Sequence, residues 1–220
     1  MISIHHITFG GFGENTYILS DETGAAIIID PGCYTVEENN ELKNYIDTNE
    51  LKVEKLLNTH CHIDHVLGNK FVKDTWKVDL LIHDIDHDTL RSVKLYAPMY
   101  GYHRYEETEP DGFLDDGDVF SFGSSSLDVI FVPGHAPGHI AFVHSEQKFC
   151  IGGDVLFQSS IGRTDLPGGD HNTLINSIHK KFFILPDDVV VYPGHGPSTT
   201  IGEERLHNPF CGTNARNYLY

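Results

Sequence analysis

The chain has 220 residues and a formal net charge of −17, with 40% hydrophobic and 21% charged residues. This acidic balance disfavours a long nucleic acid as a partner, because such binding needs clustered lysine and arginine. The longest apolar runs, such as residues 25–29, have the length of a strand and are too short to cross a membrane.

The predicted elements begin with an antiparallel meander, with strands at 2–9, 15–19 and 25–29 and a hairpin turn at 21–24. A helix at 36–48, a strand at 54–58, a helix at 66–76 and a strand at 78–82 follow. This alternation is typical of a sheet covered by helices. The segment 84–117 is the least regular part, and its tyrosines and Met99 allow two interpretations, a lid over a substrate or an insertion packed on the domain.

From residue 118 the order restarts, with strands at 119–122, 127–132, 140–143 and 149–151, a helix at 174–181 and a strand at 189–192. The chain shows no internal repeat, low-complexity run or linker. We therefore predict one domain over residues 1–220, built from two sheets with helices on the outside.

Three features of the composition bear on location and chemistry. The amino terminus lacks the basic region and apolar block of an export signal, so we expect a cytoplasmic protein. The four cysteines, at 33, 61, 150 and 211, form no CxxC pair, which is typical of free thiols in a reducing compartment. Fifteen histidines are unusually many, and neutral imidazole is the commonest metal ligand.

The strongest motif is HCHIDH, which directly follows the strand at 54–58 and places four potential ligands in six residues. While the backbone is extended, His60 and His62 point to the same side, because side chains alternate along a strand. Asp64 and His65 follow as the chain turns into a helix. The carboxyl end of a strand is where open α/β sheets commonly place a ligand crevice.

Three more ligand candidates, His135, Asp154 and His195, lie in short segments that begin where a strand is expected to end. Each has glycine beside it. Glycine allows turns that other residues avoid and lets the backbone come close to an ion.

These segments resemble the HxHxDH signature and the later His, Asp and His motifs of the metallo-β-lactamase superfamily, and the likeness runs through nearly the whole chain. The resemblance implies an α+β fold, the four-layer αββα sandwich of two mixed sheets with helices on the outside. It also implies the ligand assignment, which is His60, His62 and His135 for a first metal ion, Asp64, His65 and His195 for a second, and Asp154 as the bridge between them.

The chemistry implied by this resemblance is hydrolysis by a metal-bound hydroxide that attacks a carbonyl, with Asp64 and Asp154 as the catalytic carboxylates. A water held by two divalent ions ionises near neutral pH, so no separate general base is needed. We expect two divalent ions, zinc first, although iron and manganese also suit histidine and aspartate ligands.

Within the superfamily, the chain resembles glyoxalase II, lactonases, RNA-processing members and persulfide dioxygenases in having an aspartate at position 154. It differs there from the zinc β-lactamases, which do not use a bridging aspartate at this position. The acidic charge disfavours the RNA-processing branch. Residues 160–170 and 194–205 resemble the short glyoxalase II-like hydrolases, which cleave thioesters such as S-lactoylglutathione. The sequence therefore favours a small-molecule thioester or ester as substrate, with no nucleic acid and no membrane as partner.

Several alternatives stay open at this point. Persulfide dioxygenases have a similar Gly-Arg-Thr-Asp segment and bind one iron, so the number of metals separates them from a hydrolase. A lactonase ranks lower, and a non-catalytic binding protein has no reason to keep all seven ligands. Full-length glyoxalase II grips glutathione with a helical domain after its last metal histidine, and little sequence follows His195 here. Glutathione is therefore not fixed as the thiol.

Four residues outside the ligand set are also interpreted, two of them with a supporting role. Asp30 and His139 resemble positions that orient the ligands in this family. His83 and His87 have helix-face spacing, and we interpret them as solvated or capping residues.

Arg163, in the Gly-Arg-Thr-Asp segment, is the candidate for binding an anionic part of the substrate. The alternative is a structural ion pair with Asp165 or Asp170. Arg205 and Arg216 are the next candidates for an anion site.

Overall fold

The N-terminal half forms the first of two six-stranded sheets in the computed structural model, which describes residues 1–213 and 215. Its strands, in spatial order, are β1 (Ser3–Phe9), β2 (Glu14–Ser20), β3 (Ala25–Ile29), β4 (Lys52–Leu57), β5 (Asp79–Ile82) and β6 (Gly112–Phe113). The first two pairings are antiparallel and the remaining three are parallel. The predicted meander is confirmed, and the sheet is mixed.

Helices α1 (Val36–Thr48), α2 (Ile63–Val66) and α3 (Asn69–Trp76) connect the parallel strands of this sheet. The prediction of one helix at 66–76 was wrong at its start, because the helix is interrupted at Gly68, between α2 and α3. The Gly68 N–H donates to the Pro31 carbonyl at 2.7 Å. A Cβ atom at Gly68 would lie 2.5 Å from Cys33 Sγ, so the backbone packs too closely there for any larger residue.

The segment 84–117 is more regular than predicted. It contains a 3₁₀ turn at Asp84–Asp86, helix α4 (His87–Tyr96) and a second 3₁₀ turn at Ala97–Tyr100. Leu90, Val93 and Ala97 are fully buried and have the spacing of one helix face. His83 caps the first turn by accepting a hydrogen bond from the Ile85 N–H at 3.2 Å, which agrees with the capping interpretation.

The second sheet comes from the C-terminal half. Its first strands are β7 (Val119–Phe122), β8 (Ser125–Phe131), β9 (Ile140–His144) and β10 (Phe149–Gly153). A separate short hairpin follows, β11 (Leu156–Phe157) and β12 (Ser160–Ile161), and then β13 (Val190–Pro193) and β14 (Thr199–Thr200) complete the sheet. The spatial order is β14-β13-β10-β9-β8-β7, in which only β10 and β13 pair in parallel.

The second sheet is covered by helices α5 (His171–Ser177) and α6 (Ile201–His207). A π-helical turn at Ile178–Phe182 continues α5. Three apolar clusters separate four layers. The cluster between the sheets includes Ile29, Leu57 and Phe142. One outer cluster includes Leu42, Val72 and Leu90 and lies under α1, α3 and α4. The other includes Leu174, Phe182 and Ile201 and lies under α5 and α6. The predicted αββα sandwich is therefore confirmed.

No helix in the part of the chain that the structure describes has both the length and the apolar character needed to cross a bilayer.

Candidate metal centre

All seven predicted ligands lie together at one edge of the sandwich, beyond the carboxyl ends of strands from both sheets. The HCHIDH segment follows β4 and enters α2, and His135 lies in the turn between β8 and β9. Asp154 follows β10 directly, and His195 follows β13. Because β10 and β13 are parallel neighbours, their ends place Asp154 beside His195.

The first triad consists of His60, His62 and His135, which are all buried. One ligand atom from each lies within 4.8 Å of the other two, which is compatible with a single metal ion between them. His62 Nδ1 lies 2.8 Å from His135 Nε2, so these two nitrogens face the same point.

The second triad consists of Asp64, His65 and His195, again with ligand atoms within 4.8 Å of one another. His195 Nε2 lies 3.2 Å and His65 Nε2 lies 3.9 Å from Asp64 Oδ2. This set combines one carboxylate with two imidazoles and is more accessible to solvent than the first triad.

Asp154 lies between the two triads. Its Oδ1 atom is 3.6 Å from His65 Nε2, and its Oδ2 atom is 3.4 Å from His195 Nε2 and 3.6 Å from His135 Nε2. One carboxylate therefore contacts ligands of both sets, which is the arrangement that a bridging ligand requires.

Four of the five imidazoles are held from outside through their Nδ1 atoms. The partners are the Thr59 hydroxyl for His60 (3.1 Å), the Asp30 carboxylate for His65 (3.1 Å), the Arg163 carbonyl for His135 (2.8 Å), and the carbonyls of Phe12 and Gly13 for His195 (3.2 Å each). Each contact turns the Nε2 atom of its ring inward. Such outer contacts fix the orientation and tautomer of metal-binding histidines.

Unpartnered buried atoms show that the cluster suits metal ions. Among the described residues, His60 Nε2, His65 Nε2 and Asp154 Oδ1 are buried without a hydrogen-bond partner. Such atoms are costly to bury, and native proteins usually satisfy them. Coordination of a cation would satisfy all three, and a set of imidazole nitrogens and carboxylate oxygens accepts zinc, iron or manganese.

Burial makes the first triad a set of neutral imidazoles. Burial and the neighbouring His65 hold the pKa of His60 well below its usual value. Burial and then His135 lower the pKa of His62 to about 3, and burial also lowers the pKa of His135. Neutral imidazole is the form that binds metal, so these three ligands are ready at physiological pH.

The second triad has the opposite electrostatics. Burial alone would lower the pKa of His65, but Asp154 and Asp64 outweigh it and raise that pKa well above the usual value. Burial likewise lowers the pKa of His195, but the hydrogen bonds to Asp154 and Asp64 overcome this effect and raise that pKa to about 10. The pKa of Asp154 lies well below its usual value because His65 and His195 overcome the effect of burial. Without a metal, protons therefore occupy this triad.

Asp30 and His139 lie behind the ligands, as their resemblance predicts. Asp30 accepts hydrogen bonds from the Thr59 N–H at 2.7 Å and the Thr59 hydroxyl at 2.6 Å, in addition to its contact with His65. These contacts occupy its oxygens, so Asp30 orients His65 better than it could bind an ion with His60 and His65. His139 accepts a hydrogen bond from the Asp154 N–H at 3.0 Å and stacks on His60.

Glycine is required at two places beside Asp154. A Cβ atom at Gly194 would lie 2.2 Å from Asp154 Oδ1, and one at Gly162 would lie 1.9 Å from the Asp154 carbonyl oxygen. A side chain at either position would displace Asp154. Gly194, noted in the sequence beside His195, therefore allows close packing at the centre, and Gly162 does the same from a different segment.

A cleft of about 1050 Å³ opens onto the cluster. Its lining includes the apolar and aromatic side chains of Phe12, Tyr96, Met99, Tyr100 and Phe157. The segment 84–117 packs on the domain, as the second interpretation predicts, and part of it also lines the cleft. Tyr96, Tyr102 and Tyr105 pack against the outer core, whereas Met99 and Tyr100, which are 84% and 58% exposed, line the cleft.

Arg163 lines the same cleft, but its guanidinium forms two 2.7 Å hydrogen bonds to Asp165, and both side chains are mostly exposed. This is the ion pair that the sequence offered as the alternative to anion binding. Arg205 pairs with Asp187 and donates to the Phe183 carbonyl at 2.9 Å. Arg216, the other alternative, lies outside the described residues.

Phe12 and Phe157 were missed in the sequence. Phe12 lies in a glycine-rich loop and Phe157 in a two-residue strand. Neither has a local signal, because only the folding of distant segments brings both to the cleft.

The sandwich and the histidine–aspartate cluster at its edge together define an α+β protein with a candidate metal centre. The model of the metallo-beta-lactamase superfamily matches residues 9–195. The chain belongs to this superfamily.

Among its relatives is the hydroxyacylglutathione hydrolase GloC of Haemophilus influenzae, 36% identical over 214 residues that cover 96% of this chain and 99% of GloC. Two crystal structures are similarly close. One is the B3 metallo-beta-lactamase BLEG-1, with a TM-score of 0.84 and 34% identity, covering 96% of this chain and 99% of that one. The other is TTHA1623 in a di-iron-bound form, with a TM-score of 0.82 and 33% identity, covering 94% and 99%.

Proposed function

We propose that the protein is a binuclear metal-dependent thioester hydrolase of the glyoxalase II type. The observation that carries this proposal is the position of Asp154, whose carboxylate contacts ligands of both triads. Each triad has the size to hold one ion, and the two triads share this carboxylate. The arrangement therefore favours a site with two metal ions over a site with one. The similar protein TTHA1623, which crystallised in a di-iron-bound form, gives independent support.

In this proposal His60, His62 and His135 would hold one ion, Asp64, His65 and His195 would hold the other, and the carboxylate of Asp154 would be shared by both. Two bound divalent ions lower the pKa of water toward neutrality and polarise the carbonyl under attack. We assign zinc first, with iron and manganese as the alternatives.

Asp64 and Asp154 keep pKa values below their usual range, so both carboxylates are ionised at neutral pH. As ionised acceptors they can orient the attacking water through its protons. The oxygen of water adds to the carbonyl carbon, the carbon–sulfur bond breaks, and the products are a carboxylic acid and a thiol.

The cleft supports a small thioester as the substrate. Its apolar side chains suit the acyl and methylene parts of such a molecule, and Arg163 also lines the cleft. The GloC relative is named for hydroxyacylglutathione and has nearly the same length as this chain. S-lactoylglutathione is therefore the first substrate to test.

We further propose that residues 1–220 act as one cytoplasmic hydrolase domain. The halves are tied at the site, since Asn15 Nδ2 donates to the Pro193 carbonyl at 3.1 Å and the Tyr17 hydroxyl to the same carbonyl at 2.7 Å. The four cysteines are buried and unpaired, which suits a reducing compartment.

The test is a panel of four substrates given to the purified protein with and without oxygen: S-lactoylglutathione, an acyl-homoserine lactone, glutathione persulfide and the β-lactam nitrocefin. We expect thioester cleavage at the same rate in both atmospheres. Oxygen uptake with the persulfide would favour the dioxygenase alternative. A higher kcat/KM for the lactone or for nitrocefin would replace the thioesterase assignment.

The raised pKa values of the second triad predict that metal binding releases protons. At pH 8 the folded, metal-free protein keeps a proton on His195, because the pKa has risen from 6.5 to about 10, and His65 shifts in the same direction. Zinc must displace these protons, so we expect release of about two protons per chain and a zinc affinity that rises with pH toward 10.

Calorimetric titrations with zinc in two buffers of different ionisation enthalpy measure this release directly. A His195→Ala variant should release about one proton fewer. Proton-free binding at pH 8 would contradict the proposed second triad.

Arg163 is predicted to bind an anionic part of the substrate. The Arg163–Asp165 pair is exposed, and such pairs contribute little to stability, so the guanidinium can exchange partners. We expect Arg163→Ala to raise KM for an anionic thioester about tenfold and to spare a neutral one, with Arg163→Lys intermediate.

The matched control is Asp165→Asn, which frees the guanidinium and should leave KM unchanged or lower it. If both variants instead lower Tm and weaken both substrates equally, Arg163 only holds the loop.

A further inference from the structure

Asp86 is a buried carboxylate between two of the ligand-bearing segments, and the proposed mechanism does not use it. Its side chain is fully buried. Oδ2 accepts a hydrogen bond from the Cys61 N–H at 2.5 Å, and Oδ1 accepts one from the Gly138 N–H at 3.0 Å. Cys61 separates His60 from His62, and Gly138 ends the turn that carries His135.

The contact between Asp86 and the His135 turn is also steric. A Cβ atom at Gly138 would lie 2.4 Å from the Asp86 backbone nitrogen, so this turn rests directly on the start of α4. The Thr89 hydroxyl adds a third hydrogen bond, to Asp86 Oδ1 at 3.2 Å. Burial raises the pKa of Asp86, and the hydrogen bonds from Gly138 and Cys61 oppose that increase.

We propose that Asp86 is a positioning residue that sets the separation of His60 and His62 from His135 and thereby the metal affinity of the first triad. The two backbone N–H groups belong to different segments, and one carboxylate receives both. An amide in its place could accept from only one of them, because its NH₂ group would face the other donor. This inference rests on the proposed metal centre.

The effect should be confined to the first triad. The ligands of the second triad are held elsewhere, His65 by Asp30 and His195 by the carbonyls of Phe12 and Gly13. Asp86 contacts none of these supports in the hydrogen bonds described. Loss of the carboxylate should therefore weaken one metal site and leave the other.

The experiment measures zinc binding to metal-free protein in two backgrounds that each leave one triad intact. His195→Ala keeps the first triad, and His135→Ala keeps the second. Adding Asp86→Asn should weaken zinc binding about 10-fold to 100-fold in the first background, as loss of groups that support metal ligands typically does. In the second background the zinc Kd should stay within about twofold.

The control is Asp21→Asn, the same chemical change at a carboxylate that accepts hydrogen bonds from the Thr23 N–H at 2.9 Å and the Ser124 N–H at 2.6 Å, in the turn between β2 and β3. Both zinc affinities should be unchanged in this variant. If Asp86→Asn does not fold, Thr89→Val removes only the third hydrogen bond and should weaken the first site about threefold.

Two results would overturn the role of Asp86. One is equal weakening of both sites, which would mean that Asp86 supports the fold in general. The other is unchanged zinc binding at the first site. Failure of the proposed function gives a different result. The unsubstituted chain would then bind fewer than two zinc ions, while the His195→Ala background would still measure the effect of Asp86→Asn on the first triad.

Discussion

Asp154→Asn is expected to reduce kcat/KM for thioester hydrolysis by at least about 1,000-fold while the protein stays folded. The side chain lies between the triads, with Oδ1 3.6 Å from His65 Nε2 of the second triad and Oδ2 3.6 Å from His135 Nε2 of the first. An amide has almost the same shape but no charge. It would place a neutral group between two cations, so at least one ion should bind much more weakly.

The measurements for this variant are steady-state kinetics, metal content and the thermal unfolding curve of the metal-free protein. Asp188→Asn is the matched control, since this carboxylate is exposed and pairs with Lys148 at 2.5 Å. It should leave all three unchanged. Full activity of Asp154→Asn with unaltered metal content would exclude the bridging role.

Asp30→Ala is expected to have the second-largest effect and to reduce both activity and stability. Thr59 and His65 would lose their acceptor in a buried place, and alanine would have to adopt the φ of +52° found at Asp30. We expect a loss of about 3 kcal/mol in the free energy of unfolding, equivalent to about 10 °C in Tm.

Asp30→Asn separates the two effects. Asparagine tolerates the left-handed backbone and keeps one acceptor for the Thr59 N–H, but it removes the charge beside His65. We therefore expect most of the stability to return while activity and the zinc affinity of the second triad stay low. If Asp30→Asn had the same activity and the same zinc affinity at the second triad as the unsubstituted protein, the orientation of His65 would not depend on this carboxylate.

Much of the fold could be predicted because its signals are local. The turn at residues 21–24 and the apolar run of β3 fix the hairpin of β2 and β3, and a capping box between Thr35 and Glu38 starts α1 where the prediction places it. Helix α4 was missed although Leu90, Val93 and Ala97 have helical spacing. The surrounding tyrosines and charges obscure that apolar face in the sequence.

The candidate site divides in the same way. The histidines of HCHIDH are adjacent in sequence, so their proximity needs no knowledge of the fold. The roles of Asp86 and Phe12 arise only in three dimensions, because each acts across segments that are distant in the chain. A lone aspartate at the start of a helix resembles any ordinary polar residue, and only its complete burial and its two backbone donors distinguish it.

The central claim is a two-metal hydrolytic centre, and the most direct test is an activity titration of the metal-free protein in oxygen-free buffer. Zn²⁺ is added in fractions of an equivalent, with Fe²⁺ in a parallel sample, while hydrolysis of S-lactoylglutathione is followed. We predict that the rate rises until two equivalents per chain are bound and then stays constant. A maximal rate at one equivalent, or turnover that begins only when oxygen is admitted, would contradict the binuclear hydrolase.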